Sequence, residues 1–353
     1  MPRIPDLCVV GAGPAGLAVA IMAATRGLRV RVVDAAHKGP VDKACGEGLL
    51  PGALACLDAM GVRGLCGRAL AGVRFHASGK IAEARFPGGA GLGVRRTELH
   101  RAMLERAAEL GVEVEWGTPF RGLAGAGLII GADGSQSRVR AAAGLGEGRV
   151  TSRRIGLRQH FGVAPWSSFV EVYWAHGVQA YVTPVADDQV GVAFLSAQKF
   201  ASVAEALESF PELQDRLAGA PIRSTPRGAL TITRRLRRVT TGNVALVGDA
   251  SGSVDAITGE GMNLCFRQAE VLAEALATGD LAAYERAHAR TLRMARVMSS
   301  ALLLMGHYSY VQSGAMSMLA GVPGVFQSLL RMHVGAGASN EEERVALRAL
   351  RSQ

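Results

Sequence analysis

Three glycines in VVGAGPAG, Gly11, Gly13 and Gly16, follow an apolar run and lead into a stretch of small residues. At these positions glycine permits a tight turn, lets an anion approach the backbone, and lets a helix lie close on a strand. The chemistry is that of holding a diphosphate on the amides of a helix N-terminus. Asp34 closes the next apolar run, LRVRVVD, about twenty residues on, where a carboxylate accepts both hydroxyls of a ribose. A second small-residue stretch, GDASGSVDAITGEG, spans Gly248 to Gly261, more than two hundred residues later. A ligand longer than one loop can cradle needs such a second contact. Between the two lie KACGEG, with Cys45 and Glu47, and IGLRQHFGV, in which strand alternation puts Arg158 and His160 on one face. His160 is a candidate for facing a pocket and acting in catalysis, with a hydrogen-bonded sheet histidine as its plain alternative.

Those residues need a scaffold. Residues 6–10 read as a buried strand, 15–26 as a helix and LRVRVVD as a second strand, which makes a βαβ unit. A short helix is expected from Gly52 to Met60, a hairpin around Ser78-Gly79, and an amphipathic helix in RRTELHRAMLERAAEL closed by Gly111. VEVEW and GLIIGADG follow as strands. The glycine clusters Gly88 to Gly93 and Gly125 to Gly131 do not follow a strand and open a helix, so they read as turns. From Ile155 to Leu195 repeated alternating runs predict an antiparallel sheet. One helix is expected near Val203 to Leu217, a returning strand in NVALVGD, and helices after Met262.

VVGAGPAG with Asp34, GADGSQSRVR, and VALVGDASGSVDAITGEG, in that order, resemble the FAD-binding signature of class A flavoprotein monooxygenases and the related geranylgeranyl reductases. The resemblance reaches to about residue 290. It implies a Rossmann-like FAD-binding domain of the glutathione-reductase type, with an inserted antiparallel substrate sheet and C-terminal helices. The FAD-binding parts would be 1–70, 92–150 and 241–290, the substrate-sheet hairpin 71–91, the substrate domain 151–240, and the C-terminal helical segment 291–353. It implies FAD as cofactor, held by Gly11, Gly13, Ala15, Gly16, Asp34, Cys45, Gly46, Arg96, Asp133, Gly248, Asp249, Gly259, Gly261 and Met262. Asp249 matches the acid that holds the ribityl chain, and Arg96 the arginine that reaches the phosphates and ribose. Asp133-Gly134 match the family's second acid–glycine turn. Ala256 stands where many relatives have proline.

KACGEGLLPGAL is similar to the cysteine–glycine segment beside the flavin in the reductases, which makes Cys45 a candidate to tune or gate the ring. Glu47 is a candidate proton donor if desolvated. Arg158, His160, Tyr181 and Pro184 are the substrate-wall candidates; VQAYVTPV keeps the tyrosine and proline of the reductases' signature segment and lacks its tryptophan. The resemblance implies an NAD(P)H-dependent hydroxylase acting on a hydrophobic aromatic, polyketide or isoprenoid-like molecule. A reductase of a carbon–carbon double bond is the alternative, and a flavin-binding scaffold without activity the outsider.

Composition limits the partners. The formal charge is +9, but the basic RRLRRV stretch (Arg234 to Val239) has no aromatic residues interleaved, and aromatic residues are only 5% of the chain. That argues against nucleic acid. The five cysteines show neither zinc spacing nor a disulfide framework, which points to a reduced, cytoplasmic protein. Six of the 11 methionines fall between Met294 and Met332, a segment that either packs as core, caps a greasy pocket or rests on a membrane surface. Oligomeric state is left open.

Overall fold

The computed structural model describes residues 6–123 and 127–335. Its first sheet has six strands in the order Thr240–Thr241, Val244–Leu246, Leu128–Gly131, Leu7–Val10, Val30–Val33, Val114–Glu115. All neighbours run parallel except the edge pair Thr240–Thr241 and Val244–Leu246. Strands covered on both faces need no polar side, and LCVV and LIIG are accordingly apolar throughout. The helix Pro14–Thr25 is apolar all round because it is enclosed by the helices Arg96–Glu109 and Gly261–Thr278 as well as by the sheet. The expected βαβ unit is present. VEVEW contributes only Val114–Glu115 to the sheet.

The second sheet has seven strands, ordered Arg227–Leu236, Gly148–Phe161, Gln189–Ser196, Val178–Ala186, Phe169–Ala175, Gly72–Ala77, Lys80–Arg85. The hairpin turns at Ser78 and Gly79, both with positive φ. The sheet is not antiparallel throughout: Phe169–Ala175 and Gly72–Ala77 pair in parallel. Alternation marks both as strands but says nothing of their neighbours, and these two come from distant parts of the chain. The single helix expected over 203–217 is two, Val203–Leu207 and Pro211–Leu217. Pro211 has no N–H to continue the first and starts the second. These helices pack with Phe194, Val182 and Val192 on one side of the sheet. Phe75, Val172 and Trp174 meet the C-terminal helices instead.

A third, three-stranded sheet joins Gly48–Leu49, Gly91–Gly93 and Arg68–Leu70. The cluster Gly88 to Gly93 is therefore a turn at Gly88 and Gly89, both with positive φ, and a strand at Gly91–Gly93. A Cβ on Gly93 would lie 1.8 Å from the Pro184 carbonyl oxygen, and one on Gly91 2.6 Å from that of Leu49. Close backbone packing, not chain reversal, requires these glycines. In the other cluster Gly125 and Ala126 lie outside the described residues, and Leu128–Gly131 is strand.

The C-terminal helices are Arg293–His307, Ser309–Gly321 and Pro323–Gly335. Their methionines divide, Met305 and Met316 entering the core while Met318 and Met332 stay exposed. The remainder of the segment, 336–353, lies outside the described residues. Among the described residues no helix is long and apolar enough to cross a membrane.

Candidate active site

The first loop leaves its strand at Gly11, whose φ of +107° is open to glycine. A Cβ on Gly16 would lie 1.9 Å from the Gly11 oxygen, so helix and loop touch backbone to backbone. A Cβ on Gly13 would meet nothing within 4 Å. Two of the three glycines thus allow packing and the middle one faces open space. Asp34 accepts the Ala12 amide at 2.6 Å and the Ala36 amide at 2.7 Å, which fixes its carboxylate beside the loop. His100 holds the loop from behind. Its Nδ1 accepts the Val41 amide at 2.9 Å, so Nε2 carries the proton donated to the Ala12 oxygen at 2.6 Å. Burial lowers its pKa, in keeping with a neutral ring.

The second stretch comes to the same place. A Cβ on Gly248 would lie 2.7 Å from the Ala15 Cβ, so the late loop rests directly on the first helix. The Gln268 side chain accepts the Gly248 amide at 2.7 Å and fixes the turn. Asp249 leads a short 3₁₀ turn and keeps its carboxylate half exposed, 3.5 Å from Lys43 Nζ. Asp255 caps the next turn, Ala256–Thr258, which Gly259 ends in the left-handed region. The helix Gly261–Thr278 then opens, with nothing within 4 Å of a Cβ on Gly259 or Gly261.

A single cavity of about 660 Å³ runs from Gly11 and Asp34 to Asp249 and Met262. Gly13, Ala15, Cys45, Gly46, Glu47, Arg96, Asp133, Arg158, Tyr181, Gly248, Gly259 and Gly261 line it as well. Three proposed site residues do not. Gly16 is inside the helix–loop contact. His160 is fully buried behind Glu47. Pro184 is turned away, its carbonyl against Gly93 and its ring in a small crevice with Trp166 and Phe169. The strand alternation that puts Tyr181 on the cavity puts Pro184 on the other side.

Glu47 holds a left-handed conformation at φ +58°, a strained choice for a residue with a side chain. The strain aims its carboxylate inward, where Oε2 meets His160 Nε2 at 2.6 Å and Oε1 accepts the Arg96 amide at 2.9 Å. Arg158 donates to His160 Nδ1 at 3.0 Å, so the His160 proton sits on Nε2 and is donated to Glu47. The Ser224 hydroxyl lies 2.8 Å from the same Nδ1. Arg158 also pairs with Asp42, which Arg227 bonds at 3.1 Å. Arg158 and His160 share the expected face, and they serve as a clamp between the second sheet and the Cys45–Glu47 loop. Burial pushes the Cys45 thiol up, outweighing Arg96 nearby, so it is protonated at neutral pH.

Asp133 uses one oxygen to cap Arg138–Ala142, accepting the Arg138 amide at 2.7 Å. Tyr181 gives its hydroxyl to the Ile257 oxygen at 2.8 Å and ties the sheet to the late loop. Lys43, Asp42, His100 and Ser224 went unread in the sequence, because each is an isolated polar residue with no spacing to mark it.

These residues fit an FAD. The Gly13 cradle is open where a diphosphate would approach, and Arg96 Nε and Asp133 Oδ1 are buried without partners. Unpartnered polar atoms in a cleft wall are what an absent polar ligand leaves behind. Gly11, Gly13, Ala15 and Arg96 would hold the diphosphate, Asp34 the ribose, and Asp249 the ribityl arm. Gly259, Gly261 and Met262 would lie along the ring.

Comparison with known proteins agrees. The FAD binding domain family matches residues 5–127 and 124–293. A menaquinone reductase of Mycolicibacterium smegmatis is 28% identical, over 80% of this chain and 78% of its own. A 6-methylpretetramide 4-monooxygenase of Streptomyces rimosus is 27% identical, over 92% of this chain and 91% of its own. The solved structure of a geranylgeranyl bacteriochlorophyll reductase-like protein from Thermoplasma acidophilum superposes with a TM-score of 0.76 at 18% identity, covering 98% of each chain.

Proposed function

We propose, from the premise that this chain belongs to the FAD binding domain family and is an FAD-dependent oxidoreductase, that it is an NAD(P)H-dependent monooxygenase of a hydrophobic aromatic or polyketide-like substrate. The observation that carries the cofactor reading is the contact of Gly248 with Ala15, which makes one cleft of two distant loops. The flavin supplies two-electron transfer and oxygen activation when bound, and the chain supplies a shaped and largely apolar enclosure. Leu195, Leu230 and Ile232 from the second sheet line the cleft and favour an apolar ring system over a charged metabolite. The match to the monooxygenase, nearly complete in both chains, supports hydroxylation.

A second reading, reduction of a carbon–carbon double bond, is favoured by one feature, the protonated Cys45 in the cleft wall. The two separate in a single assay. With NAD(P)H and polycyclic phenols, the monooxygenase consumes one oxygen per nicotinamide oxidised and Cys45→Ala keeps most of that turnover. A reductase turns over without oxygen and loses activity in Cys45→Ala. Protein that releases no flavin on denaturation overturns both.

A further inference from the structure

The helix Arg293–His307 is apolar on two sides. It buries Ala295, Ser299 and Met305, with Leu302 and Leu303 against the core, yet Val297, Leu304 and the following Tyr308 are exposed. Arg293, Val297, Ala301, Leu304 and Tyr308 recur at steps of four, four, three and four residues, and so lie along one face. Tyr310 extends the stripe, its ring 5.6 Å from that of Tyr308. Tyr310 is 74% exposed and Val297 59%. Seven of the eleven large exposed apolar residues of the described chain lie between Val297 and Met332. A contiguous exposed apolar stripe needs an explanation that scattered residues do not.

Charge says what covers it. The sequence has no acidic residue between Glu285 and Glu341, against five arginines at 286, 290, 293, 296 and 331. A second copy seated on this face would bring arginines together with no carboxylate from the segment to meet them. An anionic headgroup layer complements the arginines, and tyrosines at the end of an apolar stripe suit a bilayer interface. Leu292, at the start of the helix, lines the FAD cleft, so the stripe begins where the cleft ends.

We infer that the face formed by Arg293, Val297, Leu304, Tyr308 and Tyr310 docks on an anionic lipid bilayer. The inference does not rest on the flavin reading, because it concerns the surface alone.

Flotation of the purified full chain with vesicles tests it, comparing phosphatidylcholine alone with phosphatidylcholine containing a third phosphatidylglycerol, at about 0.1 M salt. The protein is expected to float with the anionic vesicles only. Val297→Glu with Leu304→Glu is expected to lower partitioning at least about tenfold, with thermal midpoint and flavin content unchanged. Arg293→Glu is expected to lower it and to weaken its salt dependence. Protein that stays behind with both vesicle types overturns the inference, as does a double variant that floats as well as the parent. A dimer seen in sedimentation that the double variant dissolves, without vesicle binding by the parent, also overturns it and assigns the face to a second copy.

Discussion

Gly13 and Gly16 stand three residues apart and answer to different forces. Gly16→Ala drives a Cβ to 1.9 Å from the Gly11 oxygen, and neither backbone can give way without moving the sheet. We expect that variant to lose several kcal/mol, about the range of severe overpacking, and to be recovered mostly as insoluble protein. Gly13→Ala meets no protein atom and keeps an ordinary φ of −70°. Its cofactor-free form should unfold within about 0.5 kcal/mol of the parent. Flavin affinity should nevertheless fall at least about tenfold, or about 1.4 kcal/mol, because the methyl would fill the open space into which a diphosphate would approach. Denaturant titration of the stripped protein and a flavin fluorescence titration check the two halves. This loop was readable because its meaning lies in local spacing. Lys43, Ser224 and His100 were not, since what each does depends on a partner brought near only by the fold.

Glu171, on the strand Phe169–Ala175, shows how a charge can hold the second sheet together. Its buried carboxylate accepts from Trp166 at 2.7 Å, Tyr173 at 2.8 Å and Arg74 at 3.0 Å. Burial by itself would raise its pKa, but the His76 ring 3.6 Å away and the bonds from Trp166 and Tyr173 outweigh that and bring it down to about 2. A depressed carboxylate adds stability that is fully present above about 4.5, its ordinary value, and disappears as pH falls through about 2. Glu171→Ala should cost about 3 kcal/mol at neutral pH, with the gap to the parent narrowing between pH 4.5 and 2 in urea titrations. The elements themselves were largely legible, because alternation and helical period are local. Their neighbours were not: the parallel join of Gly72–Ala77 to Phe169–Ala175 leaves no local trace. Composition also misled at Gly91–Gly93, where glycines that suggest a turn permit a tightly packed strand.

The C-terminal helices meet the cofactor domain at Glu260, which sits at the head of Gly261–Thr278 with His333 Nε2 3.4 Å from its Oε2. Burial raises the Glu260 pKa to about 8, Arg267 offsetting only part of this, and burial lowers that of His333. The pair is therefore neutral at pH 7, an acid facing an imidazole. A raised carboxyl pKa means that stability declines as pH climbs from the ordinary 4.5 through about 8. Glu260→Gln should flatten that decline and leave the variant more stable than the parent above pH 8, by a few kcal/mol at most. Thermal midpoints measured across the interval check it. The seating of Gly248 on Ala15 carries a consequence for biosynthesis. A ribosome extrudes the Gly11–Gly16 turn more than two hundred residues ahead of its counterpart, a delay of roughly 10 to 50 s at ordinary elongation rates. The nascent amino-terminal half meanwhile has half a receptor, so the yellow chromophore should be captured only after Gly261 has emerged.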